Sequence, residues 1–430
     1  MADRVIFTKQ MKKDYTILIP NMLPVHFRLL QRVFWKHGYN AELLTTSHRG
    51  IVDEGLKNVH NDTCYPALLV IGQFIDALKS GKYDKNKVAL MITQTGGGCR
   101  ASNYINLLRK ALKKSGLEYV PVISLNLAGL EKNPGFKLNF KLLSELIFAL
   151  LYGDILMHLS QCVKPYEKIK GSCDKLTEEW VHKLYEQFKK GKRICQKTYR
   201  ENAIKITESF AKIEVNNENK IKVGIVGEIY VKFAPLGNND LEEFLLKEGA
   251  QPVMYGLLDF ILYTCDAMVE DRRLFGSGII KATVAKWLRK YMVNCQNIML
   301  EVLKPYERFN TLTEFFHKKE LVKGYVGIGN KMGEGWLLIS EMLELIESGV
   351  PNIVCTQPFG CLPNHIIGKG MIKKLRDNYP QSNIVAIDYD PGATKANQEN
   401  RIKLMLANAR ETQQTEKTTD MENVNAFKKS

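Results

Sequence analysis

Two parallel-sheet lobes of α/β type, related by an internal repeat, are what this chain encodes. Three observations point there. Short apolar runs alternate with amphipathic helical periods, the pattern of βαβ units. One grammar occurs twice. A helix ends in Ser80-Gly81 or Ser348-Gly349, a strand follows, then Thr93-Gln94 or Thr356-Gln357, then glycine, cysteine and a helix. Helical pattern without strand alternation fills the chain between the lobes, from about Leu143 to Lys212, and within the second lobe over 256–320.

The elements follow in order. Tyr15 to Pro20 reads as a first strand, Phe27 to Lys36 as a helix closed by His37-Gly38, and Ala41 to Leu44 as a second strand. Pro66 suits the first turn of a helix from Ala67 to Lys79. Val88 to Ile92 is a continuous apolar run, as a buried parallel strand should be. After the glycine turn, Tyr104, Leu107, Leu108, Ala111 and Leu112 mark a helix from Ala101 to Lys114, and Tyr119 to Leu125 reads as a strand. The second lobe opens with the strand Lys222 to Gly227, the helix Leu241 to Lys247 and the strand Gln251 to Met254. It continues with a helix Trp336 to Glu347, a strand Asn352 to Cys355, a helix Ile366 to Asp377 and a strand Ile384 to Ile387. The expected domains are therefore an N-terminal lobe over 1–142, a helical segment over 143–218, and a C-terminal lobe over 219–405 with a helical insert at 256–320. Residues 406–430 are Gln, Thr, Glu, Asn and Lys with few core formers and read as a disordered tail.

With 430 residues the chain is long enough for two or three domains. Hydrophobic residues at 45% and charged residues at 25% are ordinary for a globular protein. The nine cysteines are odd in number and lack a secreted framework's spacing, and the polar opening lacks a signal peptide's apolar stretch. A reducing, cytoplasmic compartment is expected. The most apolar window, Leu142 to Leu159, contains Glu145, Asp154 and His158, so a buried helix is expected and no membrane partner. A net charge of +15 fits either a solvated lysine-rich surface or attraction to a polyanion. No aromatic-and-basic RNA signature or zinc-finger spacing accompanies it, which disfavours nucleic acid.

Cys64, Cys99 and Cys361 share one setting: a loop, the thiol, then a helix. Helix N-termini present unpaired N–H groups and a positive dipole end, which favour a thiolate. If the two halves are pseudo-symmetric, Cys99 and Cys361 occupy equivalent turns at the carboxyl edges of their sheets, where open α/β folds bind ligands. The remaining six, Cys162, Cys173, Cys195, Cys265, Cys295 and Cys355, lie in helical, loop or strand patterns where cysteine is usually a small apolar residue, with Cys355, which aligns with Ile92 in the repeat, left open as a further ligand. Three well-separated thiolates could hold zinc or an iron–sulfur cluster. Structural zinc favours four ligands, often in CxxC pairs, and none occurs here. A [4Fe–4S] cluster takes Cys thiolates, with nearby N–H groups tuning its potential. Spacing alone leaves a cluster and three inert thiols both open.

At these residues the chain resembles the 2-hydroxyacyl-CoA dehydratase family, and is most similar to the dehydratase-like module of fused activase-dehydratase proteins. The carrying motifs are Asn61-Asp62-Thr63-Cys64-Tyr65-Pro66, Thr93 to Tyr104, Pro134-Gly135-Phe136, Gly227-Glu228-Ile229-Tyr230, Gln357 to His365 and Asp388-Tyr389-Asp390-Pro391-Gly392. The resemblance runs from about Val5 to Met405. It implies Rossmann-like lobes around an oxygen-sensitive [4Fe–4S] cluster held by three cysteines, in a protein of anaerobic metabolism. It also implies a separate ATP-hydrolysing activator that injects one low-potential electron. In the dehydratases that electron makes a ketyl radical from an acyl-CoA, so that an unactivated hydroxyl can leave. Some relatives instead carry a double-cubane cluster and reduce small molecules. A homologous subunit or a homodimer is compatible with the resemblance.

The expected metal ligands are Cys64, Cys99 and Cys361. Gly96, Gly97, Gly98 and Gly360 would bring backbone N–H groups to the sulfides, unless they are ordinary turn glycines. Arg100 and Ser102, directly after Cys99, could reach a thioester carbonyl or a phosphate. Glu228, after a strand, could accept a proton or simply cap a helix. His365, one turn past Cys361, could move protons or be structural. Asp388 and Asp390 read as turn formers. The leading expectation is an iron–sulfur lyase, or a component of an ATP-coupled reductase, acting on an acyl-CoA-type substrate. Its rivals are a non-catalytic electron-relay or assembly subunit and a basic, metal-free scaffold that binds nucleic acid.

Overall fold

The computed structural model describes residues 4–427 apart from 61, 94–97, 126–130 and 192–193. Two four-stranded sheets organise it, and every pairing in both is parallel. The first holds β1 (Thr16–Pro20), β2 (Asn40–Leu44), β3 (Val88–Thr93) and β4 (Val122–Leu125) in the order β2-β1-β3-β4. The second holds β5 (Lys222–Gly227), β6 (Gln251–Val253), β7 (Asn352–Pro358) and β8 (Asn383–Tyr389) in the order β6-β5-β7-β8. The two orders are the same, so the repeat extends to topology. It reaches local detail as well. Gly81 and Gly349, each one strand before its cysteine turn, have φ of 78° and 79°, and the serine before each bonds back to a helix carbonyl. That backbone conformation is one glycine adopts without strain and it ends both helices cleanly.

The helix Phe140–Val163 runs between the lobes and is mostly buried. It is apolar on all sides, the mark of a helix enclosed by protein. Its buried charged and titratable side chains are all answered. Glu145 accepts from Lys36 at 2.5 Å and lies 2.8 Å from His37 Nε2. Asp154 lies 2.7 Å from His26 Nε2 and accepts the N–H groups of Leu257 and Leu258 at 2.8 Å each. His158 Nε2 lies 2.8 Å from the carbonyl oxygen of Phe309. An apolar helix with such partners belongs to a core and not to lipid.

Several elements differ from the sequence-level expectation. A helix Arg49–Asn58, unforeseen, packs against the helix Tyr65–Lys79. β7 is longer than expected because Thr356, Gln357 and Pro358 continue the ladder opposite Ile387, Asp388 and Tyr389. The helix expected from Ile366 to Asp377 is instead a π-turn at Asn364–Gly368, a 3₁₀ turn at Lys369–Met371 and a short helix Ile372–Asn378. Past Leu406, where a disordered tail was expected, the helix Lys395–Phe427 continues. Ile402, Met405, Leu406 and Ala409 are buried and anchor the helix where it packs on the second lobe.

Candidate functional site

The three cysteines converge where the carboxyl ends of the two sheets meet. Cys64 is the N-cap of the helix Tyr65–Lys79. Cys99 precedes a single 3₁₀ turn, Arg100–Asn103, that leads into the helix Tyr104–Lys114. Cys361 follows β7 and precedes the π-turn. Contacts between segments hold them together. Tyr65 N–H donates to the carbonyl of Phe359 at 3.0 Å. Gly360 has φ of 73°, and a β-carbon there would lie 3.2 Å from Cys64 Cα. Only glycine gives both the turn and this close approach. Tyr104 Oη lies 3.2 Å from Cys64 Sγ, linking the Cys64 and Cys99 segments. From the other lobe, Met332 Sδ accepts the N–H of Gly98 at 3.1 Å, and Gly333 packs against Pro363.

Electrostatics ties the thiols to one another and to two acids. The charges of Glu228 and Cys99 reach Cys64, and those of Glu334, Glu228 and Cys64 reach Cys361. Burial is the largest influence on both thiols and pushes both upward. The expected helix-terminus effect is present, since N–H groups of Ala67 and Asn364 bond to the two sulfurs, but desolvation outweighs it. The expectation of easily lost protons is therefore corrected for Cys64 and Cys361, whose thiols burial pushes up. Burial and then the charge of Glu334 raise Glu228 to about 8, and burial raises Glu334 also.

Of the expected residues, Glu228 takes part in this constellation while also capping the helix Ile229–Phe233, its Oε2 accepting from Val231 N–H at 2.9 Å. Ser102 turns to its own backbone, donating to the carbonyl of Cys99 at 2.7 Å. Arg100 is exposed, with no ion pair among the described residues. His365 is exposed, its Nδ1 lying 2.8 Å from the carbonyl of Cys361, which is the structural alternative. The N–H of Gly98 points to Met332 and not to an open site. Gly96 and Gly97 lie outside the described residues. Asp390 forms a turn by accepting from Gly392 and Ala393 N–H groups, as expected.

Cys355 stands apart from the three. It is fully buried on β7, its thiol raised to about 12 by burial, and the charges that reach it are those of Asp388 and Lys369. Burial likewise lifts Cys162 to about 12 and Cys173, Cys265 and Cys295 to about 11, as inert core thiols should be. Cys173 lies in the helix Ser172–Lys189 and not in a loop.

Residues that sequence reasoning missed complete the site. Glu334 is buried between two left-handed glycines, Gly333 and Gly335, and accepts from Ile229 N–H at 3.0 Å. A charged residue flanked by two glycines was the available signal. Gln357 and Asn364, both fully buried, keep both side-chain polar atoms without a hydrogen-bond partner, and so do the hydroxyls of Tyr230 and Tyr263. Buried polar atoms left without a partner are costly. Three cysteine donors are the kind of set an iron–sulfur cluster takes. Among the described residues no three His, Cys, Asp or Glu are gathered as for a single metal ion. A four-iron core is larger than one ion and spreads its thiolates apart. The chain matches no protein-family model and no curated protein sequence.

Proposed function

We propose that Cys64, Cys99 and Cys361 hold a [4Fe–4S] cluster between the lobes, and that the protein is a cytoplasmic member of the 2-hydroxyacyl-CoA dehydratase family. The observation that carries this reading is the meeting of three sequence-distant cysteines from two lobes, each within the electrostatic reach of another. When bound, such a cluster supplies one low-potential electron to a carbonyl-activated substrate.

The chain's own residues supply position and protons. Burial pushes the Cys64 and Cys361 thiols up, so these two sulfurs would depend on the cationic core they hold. Gly360 presses the Cys361 loop onto the Cys64 backbone and so sets the spacing of two ligands. Raised to about 8, the Glu228 carboxyl keeps its proton at neutral pH and can deliver it to a departing hydroxyl. The charge of Glu334 helps keep that proton on Glu228. Arg100 is free to meet a phosphate or thioester oxygen of an acyl-CoA, and Tyr104 holds Cys64 Sγ in place. The electron comes from a separate ATP-hydrolysing activator.

Anaerobic purification with iron quantification and low-temperature electron paramagnetic resonance tests the reading. About four irons per chain and a reduced-cluster signal are expected. A colourless protein that stays colourless after anaerobic reconstitution with iron and sulfide overturns it. Turnover of a 2-hydroxyacyl-CoA with an activator and ATP separates an enzyme from a relay.

A further inference from the structure

The helices Leu257–Phe275 and Ile279–Leu303 form a hairpin whose tip is apolar, exposed and basic. Its turn is well built. Gly276 takes φ of 68°, and Arg272 Nη1 donates to the carbonyls of Gly276 at 2.9 Å and Ser277 at 3.2 Å. Phe275, Ile279, Ile280, Val284 and Trp287 are between 60% and 81% exposed. Ile280, Val284 and Trp287 recur at i, i+4 and i+7, one face of a helix. The opposite face, with Ala282, Ala285, Met292 and Cys295, is buried, so the outward stripe is surplus to the core. Trp287 stacks on the half-buried Tyr291 at 6.1 Å and 16°, which fixes the ring at the end of the stripe.

Charge decides what this stripe suits. From Phe275 to Lys290 the chain has Lys281, Lys286, Arg289 and Lys290 and no acid. Arg289 turns inward to Asp266, while the three lysines have no ion pair among the described residues. A second copy would bring lysine row against lysine row, on a chain of net charge +15. Protein interfaces are depleted in lysine. An anionic bilayer surface wants this combination: Phe, Ile and Trp for the headgroup boundary, and lysines whose stems snorkel to lipid phosphates.

We infer that the hairpin tip docks the protein peripherally on an anionic lipid surface. Phe275, Ile279, Ile280, Val284 and Trp287 enter the boundary between headgroups and acyl chains, and Lys281, Lys286 and Lys290 meet the phosphates. This departs from the expectation of no membrane partner, which rested on the charges inside Leu142–Leu159. The inference does not depend on a cluster at the cysteines.

Co-sedimentation of the full chain with phosphatidylcholine vesicles, with and without phosphatidylglycerol, tests it. Binding to the anionic vesicles, a blue shift of tryptophan emission, and weakening by salt are expected. The double variants Ile280→Ser/Trp287→Ser and Lys281→Glu/Lys286→Glu should each bind at least about tenfold more weakly, with melting temperature unchanged. No binding by the unaltered protein, or undiminished binding by folded variants, overturns the inference. So does light scattering that finds a dimer which Ile280→Ser/Trp287→Ser makes monomeric, for then a second copy covers the face.

Discussion

Glu228 serves two demands that oppose each other. Capping Val231 N–H favours a carboxylate, while burial and the neighbouring Glu334 favour the acid, and burial is the larger. The consequence for the metal-free protein has a definite sign. Below about pH 4 both folded and unfolded chains carry the proton, and Glu228 contributes nothing to pH dependence. As pH rises from there to about 8 the unfolded chain ionises and the folded chain does not, so stability falls, and above about 8 the loss levels off. Glu228→Gln keeps a capping oxygen without the charge and should flatten that fall, read as melting temperature against pH. An unchanged slope would mean the carboxyl ionises normally. At the three cysteines, Cys99→Ala should lose the iron and colour of the anaerobic protein while Cys295→Ala keeps both. The reverse pattern would overturn the ligand choice. Gly360→Ala forces a β-carbon to 3.2 Å from Cys64 Cα and leaves alanine at a φ of 73°. The left-handed conformation alone costs roughly 1–2 kcal/mol. Denaturant unfolding should show at least that loss, together with weaker iron retention.

Among the secondary elements, the helix Phe140–Val163 joins the others. Asp154 on it accepts the first two N–H groups of the helix Leu257–Phe275 and pairs with His26 of the helix Pro24–Lys36. One carboxylate thus caps one helix and ties it to a helix of the opposite lobe. Asp154→Ala leaves two helix-terminal donors and a buried imidazole without their partner. A loss of about 3–5 kcal/mol is expected from equilibrium denaturation, the range for breaking a buried pair from one side. A loss below about 1 kcal/mol would place the tie between lobes elsewhere.

The two lobes do not have separate cores. One apolar cluster contains Ile17, Met91 and Ile123 beside the first sheet and Val226, Ile353 and Ile384 beside the second. Another joins Leu18 and Leu90 to Val223, Val354 and Ile387. The whole chain should therefore unfold in one calorimetric transition whose van't Hoff and calorimetric enthalpies agree. Two resolved transitions would show lobes that fold apart. This shared core bears on the candidate site, because cysteines drawn from both lobes stay in register only while the lobes are one body. The same packing leaves the tip of the hairpin Leu257–Leu303 outside, with its apolar stripe uncovered.

Much of this was legible in one dimension. Strand, turn and helix periods are local, so the parallel strands, the repeat and the common setting of Cys64, Cys99 and Cys361 could be read from neighbours in the chain. The fate of Cys355 and the partnering of Glu145, Asp154 and His158 could not, since each depends on residues brought from far along the sequence. Glu334 is the sharpest case. Between two glycines it reads as a helix opening, and only folding carries it to Ile229 and within the field of Cys361. Thiol acidity was misread for a related reason. A helix terminus is visible in sequence and argues for a thiolate, but desolvation depends on everything packed around the sulfur, and for Cys64 and Cys361 it is the larger influence. Local periodicity specified the elements. Burial and charge at the site are sums over the whole molecule, and only the folded chain has them.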